Sequence, residues 1–209
     1  MDYNPAVGHC PETNHDKRFL QMRRFVLLDR DGTINVDRDY LADPAELEFI
    51  PGASAALARL ARLGLGLAVI TNQSGVGRGL IRPAQLTAVH QRLGELLAAE
   101  GVRLDGIYAC PHLPGDGCRC RKPNIGLVQQ AAAELGFDPA RSFVVGDKAS
   151  DIELGQRVGA VTLLVRTGYG AQHERNQQFV ADYVVDDLAA AADVIQSLLG
   201  SMLDDQSSS

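Results

Sequence analysis

Apolar residues along this 209-residue chain fall into two kinds of run. One kind is continuous: Phe25-Val26-Leu27-Leu28, Leu65 to Ile70, Gly106 to Ala109, Phe143-Val144-Val145, Val161 to Val165 and Tyr183 to Val185. Short apolar runs without alternation suit strands covered on both faces, as in a parallel sheet. The other kind is periodic. Leu57, Leu60 and Leu63 recur at helical spacing over 53–63, leaving Arg59 and Arg62 for the wet face. Leu86, Val89, Leu93, Leu96 and Leu97 do the same over 83–100, between an opening Pro83 and a stop at Gly101. Further helices are predicted near 124–135, after Asp147, and from the last strand to about Leu199. The alternation of the two patterns places one α/β domain over residues 22–200. Residues 1–21 carry no amphipathic period and read as a disordered leader, with Met22 as an alternative start; SMLDDQSSS at 201–209 reads as a disordered tail.

Polar residues begin where the strands stop. The first strand runs into Asp29-Arg30-Asp31-Gly32, the second into Thr71-Asn72-Gln73-Ser74, and the fourth into Asp147-Lys148. In open parallel sheets ligands sit beyond the carboxyl ends of the strands, so these clusters predict a common site. Side chains two apart on an extended segment point the same way, which would let Asp29 and Asp31 reach one phosphoryl group and one Mg²⁺ ion. A solvated loop or a calcium site is the alternative. The Thr71 hydroxyl suits a phosphate oxygen or, equally, the cap of a turn. The segment Asn35-Val36-Asp37-Arg38-Asp39-Tyr40 offers mixed donors and acceptors for a polyol, against the reading of an ordinary solvated loop. Asp147 is the metal candidate of the fourth strand. Asp151 is left as support, because acids in a first helical turn also serve the dipole.

Composition narrows the partners. With 45% hydrophobic and 22% charged residues the chain is ordinary globular material, and a net charge of −6 gives no basic footprint for nucleic acid. No apolar stretch has the length to span a bilayer, and the first residues lack the apolar core of a secretory signal, so a cytoplasmic location is expected. Three of the four cysteines crowd into Cys110-Pro-His112 and Cys118-Arg-Cys120. Three thiolates and one imidazole complete a tetrahedral Zn²⁺ set with no position open for water, hence a structural zinc; loose thiols or a disulfide are the alternatives. Such a clamp would preorganise the backbone of Arg121 and Lys122 as phosphate ligands. His9, Cys10 and His15 are assigned nothing.

Taken together and in order, Asp29, Asp31, Thr71, Lys122 and Asp147 resemble the haloacid-dehalogenase superfamily of phosphatases over nearly all of residues 24–190. The resemblance implies a three-layer, Rossmann-like parallel sheet with helices on both faces, and no large cap domain, since no large insertion separates the first two motifs. It also implies roles: Asp29 as nucleophile, Asp31 as general acid and base, and Mg²⁺ held by Asp29, the backbone carbonyl of Asp31 and Asp147. Thr71 and Lys122 would stabilise the transferring phosphoryl group. Substrate recognition would fall to Asp37, Arg38, Asp39, Tyr40, Asn72, Gln73, Ser74, Arg121 and Lys148. More narrowly, DRDGTINVD, TNQSGVGRG, the loop ending in CRKP, and VGDKASDIE are similar to the heptose-bisphosphate phosphatase branch. The histidinol-phosphate phosphatase branch shares the zinc loop, and the short interval from His112 to Cys118 resembles it. The implied protein is a monomeric phosphatase acting through an aspartyl phosphate on a small sugar bisphosphate, with neither nucleic acid nor membrane as partner. A histidinol-phosphate phosphatase and a catalytically inactive phosphosugar-binding protein are the competing readings.

Overall fold

The continuous apolar runs form six strands in a computed structural model that describes residues 23–176 and 180–207. They are β1 (Phe25–Leu28), β2 (Gly66–Asn72), β3 (Gly106–Cys110), β4 (Phe143–Gly146), β5 (Val161–Val165) and β6 (Tyr183–Val185). All neighbours pair in parallel, in the order β3-β2-β1-β4-β5-β6. The chain builds outward from β1 to one edge, then returns to β4 and builds to the other. The β1/β4 boundary is therefore the point where strand order reverses and a crevice opens at the strand ends. Register puts Leu28 beside both Val69 and Val145, and the Asp29 N–H continues the pairing onto the Val145 carbonyl at 2.9 Å.

Among the described residues six α-helices connect the strands, α1 (Ala53–Arg62), α2 (Ser74–Gly77), α3 (Pro83–Ala99), α4 (Gly126–Leu135), α5 (Ala149–Val158) and α6 (Gly170–Asn176), and α7 (Leu188–Ser207) follows β6. Alternate strand residues separate to opposite faces. Val26, Leu28, Leu67 and Val69 pack with Leu57 and Leu60 of α1, Val89 and Leu93 of α3 and Ile195 of α7. Phe25, Leu27, Ala68 and Ile70 pack on the other face with Leu127 and Val128 of α4 and Leu154 of α5. Each fully buried side chain of this size contributes roughly 1.5–3 kcal/mol. The result is the three-layer arrangement the resemblance implies, and between β1 and β2 the described residues hold only a short 3-10 turn and α1, not a cap domain.

Several boundaries differ from the sequence reading. Leu63 is 37% exposed, because the helix stops at Arg62 and Gly64 turns the chain away at φ 82°; the buried stripe of α1 is Ala53, Ala56, Leu57 and Leu60. Strand β2 extends through Thr71 and Asn72, which pair with β3 instead of opening a loop. Helix α4 begins at Gly126. Helix α7 continues to Ser207, past the end placed near Leu199, as no proline interrupts it. The leader with His9, Cys10, His15 and Met22, and residues 208–209, lie outside the described residues. Among the described residues, no helix is long and apolar enough to cross a membrane.

Candidate active site

Beyond the ends of β1 and β4, the carboxylates of Asp29, Asp147 and Asp151 converge, with one oxygen of each within 4.8 Å of the others. All three side chains are buried. The Lys122 ammonium is buried among them, 2.9 Å from Asp29 Oδ1, 2.6 Å from Asp151 Oδ1 and donating to the Ile70 carbonyl at 2.5 Å. Burial works against the charge on Lys122, but Asp151 and Asp29 outweigh it and raise its pKa. Burial also lifts Asp147 to about 8, with the Asp29 charge pushing the same way. Asp151 is lifted by burial to about 6 despite the counter-pull of Lys122. Lys122 thus pairs with two of the three buried acids, Asp29 and Asp151. Asp147 Oδ1 has no hydrogen-bond partner, and Lys148 Nζ is 4.0 Å away. A buried carboxylate oxygen without a donor, among hard oxygen ligands, fits a divalent cation such as Mg²⁺. The space is tight: a side chain on Gly32 (φ 85°) or Gly168 (φ 55°) would run into the Asp147 carboxylate.

Asp31 lies differently from the sequence expectation. The chain does not stay extended after β1, because Ile34 and Asn35 N–H groups fold back onto the Arg30 carbonyl at 2.9 and 3.1 Å. The Asp31 carboxylate therefore does not join the Asp29 cluster. Its Oδ1 accepts from Arg30 Nε (3.1 Å) and Asn35 Nδ2 (2.9 Å), and its Oδ2 from Arg30 Nη2 and Gln73 Nε2 (both 2.8 Å). Burial opposes its charge, yet the Arg30 guanidinium and these donors hold it below the usual carboxylate range. Gln73 Nε2 also meets Thr71 Oγ1 at 2.8 Å, linking the β2 end to Asp31. Only the backbone carbonyl of Asp31 is left for the metal role implied above.

The remaining sequence candidates divide. Asp37 Oδ2 meets Lys148 Nζ at 3.1 Å, and the pKa of Lys148 is raised because Asp147, Asp29 and Asp37 outweigh its burial. Asp39 takes a left-handed conformation at φ 59°, and Tyr40 stands half-exposed beside Gly75. Arg38 instead pairs with Glu48 at 2.7 Å on the surface. Asn72 clamps the backbone of Lys122, with Nδ2 donating to its carbonyl at 3.2 Å and Oδ1 accepting from its N–H at 3.0 Å. Gln73 serves Asp31, Ser74 opens α2, and Arg121 donates to the His112 carbonyl at 3.3 Å. The sequence reading placed Asn35 with the polyol segment and not beside Asp31, and it missed Arg30 and the loop after β5. There Thr167 Oγ1 donates to the Gly32 carbonyl at 2.7 Å and the Tyr169 N–H to Asp147 Oδ2 at 2.9 Å. The signal for that loop was present, since Thr167-Gly168-Tyr169-Gly170 also starts where a strand stops.

At the edge of the sheet, β3 delivers Cys110 to a cluster with His112, Cys118 and Cys120. Cys110 Sγ lies 3.1 Å from Cys120 Sγ and 3.6 Å from Cys118 Sγ; His112 Nδ1 is 3.2 Å from Cys120 Sγ, and the thiols are free. Four ligands about 2.3 Å from a tetrahedral zinc would sit about 3.8 Å apart, close to this spacing. The same loop leads directly to Lys122, whose peptide bond to Pro123 is cis.

Comparison with known proteins places this geometry in a family. The HAD-hydrolase-like model matches residues 119–191. The D-glycero-beta-D-manno-heptose-1,7-bisphosphate 7-phosphatase of Pseudomonas aeruginosa is 41% identical over 174 residues, covering 83% of this chain and 98% of that protein. The Escherichia coli K12 protein of the same name is 40% identical, over 78% of this chain and 89% of its own. Among solved structures, the D,D-heptose 1,7-bisphosphate phosphatase from B. bronchiseptica, complexed with magnesium and phosphate, superposes with a TM-score of 0.78. It is 36% identical over 83% of this chain and 98% of its own. With these identities over nearly the full length of the relatives, the chain belongs to the heptose-bisphosphate phosphatase family of the haloacid-dehalogenase-like hydrolases.

Proposed function

We propose that this protein is a Mg²⁺-dependent phosphatase that removes the 7-phosphate of D-glycero-D-manno-heptose 1,7-bisphosphate through an aspartyl-phosphate intermediate. The observation that carries the reading is the buried cluster of Asp29, Asp147 and Asp151 at the strand ends, with Lys122 paired to Asp29 and Asp151. Asp29 Oδ attacks phosphorus in line and the phosphorus–oxygen ester bond breaks. To protonate the leaving alkoxide, Asp31 leaves the Arg30, Asn35 and Gln73 donors that keep it ionised and takes up a proton from solvent as substrate binds. Asp31 then removes a proton from water as the water attacks the aspartyl phosphate, which releases inorganic phosphate and restores Asp29. Lys122 and Thr71 gather the charge on the phosphoryl oxygens throughout. Asp29, Asp147 and the Asp31 carbonyl would hold Mg²⁺, which when bound offsets phosphoryl charge and draws the group toward Asp29. Cys110, His112, Cys118 and Cys120 would hold a structural Zn²⁺ that steadies the backbone of Arg121 and Lys122.

Recognition of the sugar falls to Asp37, Asp39, Tyr40 and Lys148, with Arg121 taking the second, unreacted phosphate. A guanidinium binds phosphate through paired hydrogen bonds, and Arg121 stands on the same loop as Lys122. Free thiols suit a reducing, cytoplasmic setting, and a monomer working on a small phosphosugar needs no nucleic acid or membrane.

The test is phosphate release with Mg²⁺ from both anomers of the heptose bisphosphate and from histidinol phosphate, alongside Asp29→Asn. Preference for a heptose bisphosphate is expected, with kcat lowered at least about 10³-fold in the folded variant. Preference for histidinol phosphate would shift the substrate, and phosphosugar binding without turnover would make this a binding protein.

A further inference from the structure

The loop Thr167-Gly168-Tyr169-Gly170 does more than touch Asp147. The loop is anchored at two points, the Thr167 hydroxyl donating to the Gly32 carbonyl and the Tyr169 N–H to Asp147 Oδ2. At Gly168 the left-handed φ and the Asp147 carboxylate leave no room for a side chain. The Tyr169 ring is therefore presented from a rigid base. It lies over Lys148 Nζ, 5.1 Å from ring centroid to nitrogen, and its phenol lies 3.4 Å from Asp39 Oδ1. The circuit closes through the substrate segment: the Asp39 N–H donates to Asp37 Oδ1 at 2.9 Å, and Asp37 Oδ2 holds Lys148.

Two features separate this arrangement from ordinary packing. Tyr169 is 41% exposed and belongs to neither core cluster, so the ring gains little by burial. Asp39 is the one non-glycine with positive φ among the described residues, and such strain persists where surrounding contacts impose it, often at ligand clamps. Beside the ring opens a cleft of about 370 Å³ whose lining includes Gly32, Asp37, Ile50, Thr167 and Tyr169. An amphipathic aromatic face next to two carboxylates and an ammonium suits a polyol, whose C–H groups pack on the ring while its hydroxyls meet the charged groups.

We propose that Tyr169 is a substrate-binding residue that forms the wall of the polyol subsite, making the β5–α6 loop a specificity segment alongside residues 37–40. The proposal rests on the phosphosugar reading above. It is tested in the full-length, metal-loaded protein by comparing kcat/KM for the heptose bisphosphate with kcat/KM for p-nitrophenyl phosphate, which has no polyol. In Tyr169→Ala the ratio should fall about tenfold, chiefly through KM for the sugar. In Tyr169→Phe, which keeps the ring and loses the phenol contact, it should fall about threefold. If Tyr169→Ala does not fold, Tyr169→Leu and Tyr169→Phe carry the comparison. A ratio equal to wild type, whether both rates hold or fall together, would mean that the Tyr169 side chain does not meet the polyol and would overturn the proposal, since the backbone N–H that holds Asp147 is kept in every variant. A wild type without preference for the heptose bisphosphate would instead overturn the substrate reading, and the ratio would then be read on the phosphosugar it prefers.

Discussion

The acid cluster and the cysteine loop stand close together in the fold and are built in opposite ways. Asp29 follows β1, Asp147 follows β4 and Asp151 lies in the first turn of α5, so each hangs from an element whose flank is packed core. The cysteine loop crosses 111–125 without a helix or strand, and of its side chains only Cys118, Cys120 and Ile125 pack against the core, all of them partly. Hard oxygen ligands are thus positioned by the fold, whereas the soft ligands must largely position one another. The two regions meet at Lys122. Its backbone belongs to the loop and its ammonium to the acids, so order in the loop becomes electrostatics in the site.

The sharpest way to break this comparison is Lys122→Met. Removing the one ammonium between Asp29 and Asp151 leaves buried acids uncompensated, a change that costs about 3–5 kcal/mol in stability. Denaturant unfolding of the metal-free variant should show that loss, and Mg²⁺ should restore more stability to it than to the wild type. Unchanged unfolding would mean that Lys122 does not balance the cluster.

Zinc removal should act more locally. In protein stripped of zinc, or in Cys120→Ser, amide exchange should rise across 111–125 while β1 and β4 stay protected, and kcat/KM should fall about 10-fold through a less ordered Lys122. Equal exchange and turnover in verified zinc-free protein would sever the link between the two regions.

The smallest effect involves neither metal. His90 on α3 has a buried Nε2 without a hydrogen-bond partner, and burial, helped by Arg30 and opposed by Asp31, lowers its pKa to about 4. From pH 6.5 down to 4 the unfolded chain takes up a proton there that the folded chain does not, so stability falls as pH falls through that window. His90→Leu should flatten this slope by the order of 1 kcal/mol, read from denaturant midpoints at its two ends. An unaltered slope would place the acid sensitivity elsewhere.

Much of the architecture was legible because burial writes itself into periodicity. Continuous runs such as Val26-Leu27-Leu28 mark strands covered on both faces, and the stripe from Leu86 to Leu97 marks a helix with one wet side. The polar residues at strand ends were legible for the same reason, since a parallel sheet gathers its carboxyl termini on one edge. Asp31 was misread because an extended chain was assumed where a turn intervenes, and turns depend on hydrogen bonds that side-chain pattern does not encode. Arg30 drew no reading from the sequence, yet it is wholly buried against the acid beside it.

By itself, then, the sequence determined which apolar runs form the strands and which chemistry gathers near their ends, all consequences of local hydrophobic spacing. Tertiary structure alone decided that Tyr169 backs Asp147, that Thr167 reaches Gly32 across 135 positions and that Lys148 reaches Asp37 across 111. Those contacts follow from strand order and register, which arise when separated segments pack together and which no local pattern can state.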